Sequence, residues 1–119
     1  MDLLSFLNSE FKVFSSHCKG RRINNRSIDS DECSIYVRKM VNNGYFCIAN
    51  ITISEEYRGK GILKKWLLHI EDFNTEFNGI EVENIFNDQL LICLLKLGFT
   101  KKNDDFPFTV EKPILKKII

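Results

Sequence analysis

The chain has 119 residues, of which 44% are hydrophobic and 28% charged, and its formal net charge is +1 at pH 7. That length holds one core, predicting a single domain over residues 1–119, and the composition excludes a disordered chain. A near-neutral charge gives no electrostatic reason to expect nucleic acid or an anionic membrane, and no run of about 18 apolar residues offers a bilayer span.

Leu3, Leu4, Phe6, Leu7, Phe11 and Phe14 recur at three- and four-residue spacing, which predicts a first amphipathic helix. Residues 17–32 carry Gly20, Asn24, Asn25, Ser27, Asp29 and Ser30, the make-up of a loop with at most a short irregular strand. Ser34 to Val41 alternates apolar and polar residues, a half-buried strand. Asn42-Asn43-Gly44 then reads as a hairpin turn, since Asn and Gly tolerate positive φ, and Tyr45 to Ser54 as the returning strand.

A helix is expected from Gly61, with Ile62, Leu63, Trp66, Leu67, Ile70, Phe73 and Phe77 as one apolar stripe and Asn78-Gly79 as a left-handed cap. Ile80 to Phe86 reads as a strand. Asn87-Asp88 caps a helix over Gln89–Leu97, Gly98 stops it, and one or two closing strands follow around Phe108–Glu111. The expected class is α/β with a mixed sheet, helices crossing strands that are only partly antiparallel.

Cys18, Cys33, Cys47 and Cys93 form no Cys-x-x-Cys pair and have no matching His pair, so neither a metal site nor a disulfide framework is expected. The first residues lack the basic segment and small-residue cleavage site of a secretory signal, and a cytoplasmic protein is expected. Lys19-Gly20-Arg21-Arg22 and Lys116-Lys117 are local basic clusters read as solvated edges, and the near-neutral total charge disfavours a nucleic-acid surface built on Arg21, Arg22 and Arg26.

The segment Ile51-Thr52-Ile53-Ser54-Glu55-Glu56-Tyr57-Arg58-Gly59-Lys60-Gly61-Ile62 carries the chemistry. A strand runs into a glycine-bearing turn from which a helix starts directly. The first N–H groups of a helix have no intrahelical acceptors, and the helix dipole places partial positive charge there. Such an end binds phosphate, and glycine lets the anion approach the backbone. Competing phosphate motifs fail on spacing. No Gly-Lys-Ser/Thr element follows as in a Walker loop, and position 64 is Lys where a dinucleotide fingerprint needs its third Gly.

This stretch resembles motif A of the GNAT superfamily of N-acetyltransferases, Gln/Arg-x-x-Gly-x-Gly/Ala, with Arg58 and Gly61 in place. Further on, Asn87 followed by Leu94-Leu95-Lys96-Leu97-Gly98-Phe99 resembles motif B, an Asn opening a helix that ends in Leu-Gly-Phe. The resemblance covers residues 45–99 and implies a compact GNAT-like acyl-CoA fold with a splayed sheet. It implies acetyl-CoA as cofactor and an amine acceptor, a protein or a small molecule, as partner. Oligomeric state is left open, a dimer included. By position, Ile51, Thr52 and Ile53 correspond to the strand that pairs with the pantetheine arm, Arg58 to the motif A cation, and Gly59, Lys60, Gly61, Ile62, Leu63 and Lys64 to the pyrophosphate loop. Asn87 corresponds to the residue that approaches pantetheine. The run Glu83-Asn84-Ile85-Phe86-Asn87 is also similar to short phage-encoded members.

Two positions depart from the pattern: Leu63 stands where motif A has Gly or Ala, and Leu94 where many members have a Tyr that protonates the CoA thiolate. Transfer to an amine still calls for alignment, a base and a held oxyanion. Glu83 is the candidate base, with Glu81 on the same strand face and Ser54 or Glu55 placed to hold a relay water. The expected activity is acetyl transfer to a primary amine. The competing expectation is a catalytically degenerate GNAT-fold protein acting through protein contact.

Overall fold

The computed structural model describes residues 2–20, 24–102, 104 and 106–114. A first helix, α1 (Leu3–Lys19), begins at Asp2, whose side chain accepts from the Ser5 N–H at 2.7 Å. It buries Leu3, Leu7, Phe11, Phe14 and Cys18, the three- and four-residue spacing that places one stripe against a core.

In the polar segment that follows, Arg21 and Arg22 lie outside the described residues, as do Lys116 and Lys117 near the chain end, and residues 24–32 are more ordered than their composition predicts. Strand β1 (Asn25–Asp29) pairs antiparallel with β2 (Cys33–Lys39), from Asn25 opposite Arg38 to Asp29 opposite Ser34. Only Ile28 of β1 is buried. An edge strand held by its ladder, with one apolar anchor, leaves almost no hydrophobic signal.

Strands β2 and β3 (Phe46–Ile53) form the hairpin expected around Asn42-Asn43-Gly44, with a six-residue connection because β2 ends at Lys39 and β3 starts at Phe46. Among Asn42, Asn43 and Gly44 only Gly44 takes positive φ, +74°. Its N–H donates to the Met40 carbonyl, and Asn78 ties down the turn by donating to the Asn43 and Gly44 carbonyls.

Past β3, a short 3₁₀ turn (Glu55–Tyr57) leads to α2 (Ile62–Phe73). This helix stops four residues short of Phe77. Asn74 is extended, and its side chain takes the N–H groups of Glu76 and Phe77 and donates to the Phe77 carbonyl. Phe77 therefore reaches the core from a loop, its ring 5.2 Å from Phe46 and 6.0 Å from Phe14. Gly79 is no helix cap. It lies in β4 (Gly79–Ile85), where a Cβ would sit 2.5 Å from the Tyr45 ring and 2.7 Å from the Lys112 carbonyl oxygen.

Helix α3 (Asp88–Lys96), β5 (Thr100–Lys101) and β6 (Phe108–Pro113) complete a six-stranded sheet in the order β1-β2-β3-β4-β6-β5. The β3–β4 pair is parallel and the other pairs antiparallel, the mixed sheet expected. Phe46, Ile48, Ile35, Val37, Ile80 and Val82 share the sheet face covered by the helices, where Phe11, Phe14 and Trp66 meet Phe46. The Trp66 indole N–H donates to the Leu7 carbonyl at 3.0 Å, locking α2 onto α1. Lys112 bridges Glu71 of α2 and the Leu97 carbonyl at the end of α3. No helix among the described residues is long and apolar enough to cross a membrane.

Candidate active site

Strands β3 and β4 part company in the middle. Their pairing covers Phe46–Ile80, Cys47–Glu81 and Ile48–Val82 and then stops, although β3 continues to Ile53 and β4 to Ile85. Both strands carry an extra residue where they separate. Ala49 is extra in β3, since Tyr36 faces Asn50 and Val37 faces Ile48. One residue is extra in β4 between Val82 and Ile85, which face Val110 and Phe108. Bulges bend and twist strands, and two at one level open a cleft.

The cleft exposes a backbone edge. The Ala49 carbonyl points toward β4, because it accepts from the Asn84 side chain at 2.7 Å. Peptide groups alternate along a strand, so Ile51 and Ile53 point the same way and Thr52 points to β2. The Ser54 N–H, donating to the Glu32 carbonyl at 2.9 Å, keeps that alternation. The Ile51 N–H and C=O thus face the cleft without a strand partner among the described residues. Ile53 is partly used: its carbonyl accepts from Arg58 Nε at 2.8 Å.

At the end of this edge lies the glycine turn. Gly59 and Gly61 have φ of +75° and +72°, a backbone that L side chains rarely adopt, and a Cβ at either would meet no atom within 4 Å. Their requirement is therefore conformational, in a loop that borders open space. Gly61 is the N-cap of α2 and brings no side-chain cap, so the N–H groups of Ile62, Leu63 and Lys64 are left for an external acceptor. Ile62 and Leu63 are half-buried and pack against the core. Lys64 is exposed, and Lys60 packs its Nζ over the Tyr57 ring at 5.7 Å. Arg58 spends its Nε on the strand end, closing the loop as well as charging it.

Asn87 caps α3, its Oδ1 accepting from Gln89 N at 2.8 Å and Leu90 N at 3.3 Å. Leu94 is fully buried in the core cluster, so position 94 offers nothing to a cleft.

On the sheet face away from the helices, Glu83 lies between Arg38 and Glu81. Arg38 Nη2 reaches both Glu83 oxygens, at 2.7 and 2.9 Å. Glu81 is 1% exposed and accepts from Lys102 Nζ at 2.6 Å and from the Cys47 thiol at 3.5 Å. Burial pushes the Glu81 carboxyl up, and its hydrogen bond with Glu83 adds to this against the opposing Lys102. Burial also disfavours charge on Glu83, but hydrogen bonds from Glu81 and Arg38, together with the Arg38 charge, hold it below the ordinary carboxylate range. Cys47 is pushed far up by burial and by both carboxylates, and so stays a thiol. Ligand atoms of Cys47, Glu81 and Glu83 lie within 4.8 Å of one another, yet both carboxylates are already matched by Lys102 and Arg38. Sequence reasoning placed Glu83 and Glu81 on one face but missed Arg38, Lys102 and Asn84, whose roles depend on cross-strand register.

Ser54 Oγ is buried with no hydrogen-bond partner among the described residues, beside the strand end. A separate groove of about 660 Å³ runs between α1 and α2, lined by residues including Asn8, Lys12, His69 and Phe73. It has no free strand edge and no carboxylate in its lining, so the cleft is the better candidate for chemistry.

The mixed sheet with a splayed parallel strand pair, flanked by helices, is the fold of solved acetyltransferases. Solved structures share the architecture. An acetyltransferase from Thermus thermophilus superposes with TM-score 0.61 at 12% identity over 76% of this chain, which spans 64% of that protein. A putative acetyltransferase from Agrobacterium tumefaciens gives 0.58 at 18% identity over 95% of this chain and 93% of its own. A chain of the AtaT-AtaR complex bound to DNA gives 0.55 at 11% identity, covering 83% of this chain and 72% of that one. No protein-family model matches the sequence, and no curated protein is significantly similar to it.

Proposed function

We propose that this chain binds acetyl-CoA in the β3–β4 cleft and transfers the acetyl group to a primary amine. One observation carries the reading: the unpaired Ile51 backbone edge leads directly into the uncapped α2 N-terminus at Gly61. An extended amide arm can add to that edge as a strand does, and a pyrophosphate can accept from the N–H groups of Ile62, Leu63 and Lys64. Lys60, Lys64 and the free nitrogens of Arg58 supply charge. Acetyl-CoA brings an activated thioester. Glu83 would take the proton from the attacking amine, the nitrogen–carbon bond forming as the carbon–sulfur bond breaks, and water would protonate the departing thiolate.

Calorimetry with acetyl-CoA tests the binding. A ligand at a hundred times Kd raises stability by about 2.7 kcal/mol, so a melting shift accompanies the heat. Gly61→Glu, which sets a negative side chain in the open space before the helix, abolishes both. A wild-type chain that gives neither heat nor shift at millimolar acetyl-CoA overturns the cofactor reading.

The second reading is a GNAT-fold protein that acts through protein contact without catalysis. It is favoured by Glu83 being held by Arg38 and by the buried Leu94. The AtaT-AtaR complex bound to DNA is compatible with it, as an assembly containing a chain of similar fold. Labelled acetyl-CoA with a cell extract separates the two: labelled amines support the enzyme, whereas tight acetyl-CoA binding without labelling supports the contact protein.

A further inference from the structure

We propose that Asn84 is a positioning residue that closes the inner end of the β3–β4 cleft and so restricts the acyl group to about the size of acetyl. The inference rests on the acyl-CoA reading and deepens it to a substrate class. Among the described residues Asn84 alone, glycines apart, has positive φ, 57°. It sits at the β4 bulge, level with the Ala49 bulge of β3, where the strands separate. Its Nδ2 spans the gap, donating to the Ala49 carbonyl at 2.7 Å and to Asn50 Oδ1 at 3.3 Å.

Asn tolerates the left-handed conformation better than other side chains. Here that conformation turns β4 away at the level where an ordinary strand would go on pairing with Ile51. The amide then satisfies the one β3 carbonyl nearest the vertex, so the first open backbone groups belong to Ile51. Behind the amide the vertex is closed: Cys47 is 0%, Ala49 4% and Glu81 1% exposed. A strand advances about 3.3 Å per residue, which leaves about 7 Å between Ile51 and the Asn84–Ala49 contact. An acetyl group fits that length, and a long acyl chain meets the amide.

The test compares the Kd of acetyl-CoA with that of octanoyl-CoA, by calorimetry, in the wild type and in Asn84→Gly. Glycine keeps the positive φ while removing the amide. The wild type is expected to favour acetyl-CoA, and the variant to lose at least about tenfold of that preference, within the range that a few methylenes command in a pocket. Should Asn84→Gly not melt cooperatively, Asn84→Asp, which has no N–H to donate, is read in its place. A preference unchanged in a folded variant that still binds acetyl-CoA, or two affinities weakened in proportion, overturns the role of Asn84. A wild-type protein that binds neither thioester overturns the acyl-CoA reading and this inference with it.

Discussion

Arg38 and Glu83 lie on strands separated by β3, yet one guanidinium nitrogen contacts both carboxylate oxygens, at 2.7 and 2.9 Å. The contact crosses over Cys47, which faces Arg38 on one side and Glu81 on the other. Its consequence is chemical: an ion pair holds Glu83 ionised, ready to accept a proton, but makes it a weaker base.

Replacing Arg38 by Gln removes that hold. The Glu83 carboxyl should titrate at higher pH, measurable from its carbon chemical shift, and the acid limb of any pH–rate profile should move up with it. Stability follows the same linkage. A carboxyl with a lowered folded pKa contributes stability above its unfolded pKa of about 4.3, which is lost as pH falls through the folded value. The gap between wild type and Arg38→Gln should therefore narrow as pH falls through that window. A Glu83 signal that titrates unchanged in the variant rules out this account.

Glu81 shows the opposite sign. Its folded pKa is raised, so the protonated carboxyl stabilises the fold below the unfolded pKa, and that contribution is lost as pH rises through the folded value. Lys102 offsets the cost of a charge at 1% exposure. Lys102→Met should match the wild type near pH 4 and lose about 2 kcal/mol by pH 8, less than a wholly buried pair because Lys102 is itself a third exposed. Adding Glu81→Gln should restore most of the loss in urea melts. Equal destabilisation at both pH values would show that Lys102 acts by packing alone.

Leu94→Tyr is a test of packing rather than of proton transfer. Leu94 has no exposed surface, so a phenol there forces neighbouring side chains off their rotamers. The variant should lose about 1–3 kcal/mol in denaturant melts and gain no activity. A stable variant with raised turnover would mean that the new hydroxyl reaches the cleft after all.

Periodicity and turn chemistry were enough to read the helices, the alternation of β2 and β4, and the strand–glycine–helix segment ending at Gly61. Each of these is local, set by side chains a few residues apart. Where local reading failed, long-range contacts decided. Strand β1 exists because β2 offers it a ladder, α2 ends at Phe73 because Asn74 takes over the hydrogen bonding, and Gly79 is small because Tyr45 and Lys112 crowd it. The same holds at the candidate site. Sequence alone placed Ile51, Gly61, Glu83 and Asn87 in order along the chain. Only the tertiary structure brought Arg38 onto Glu83, Lys102 onto Glu81 and Asn84 across to Ala49. Those contacts depend on strand order and on two bulges, each shifting the register by one residue, and a pairing between distant strands leaves no period in either of them.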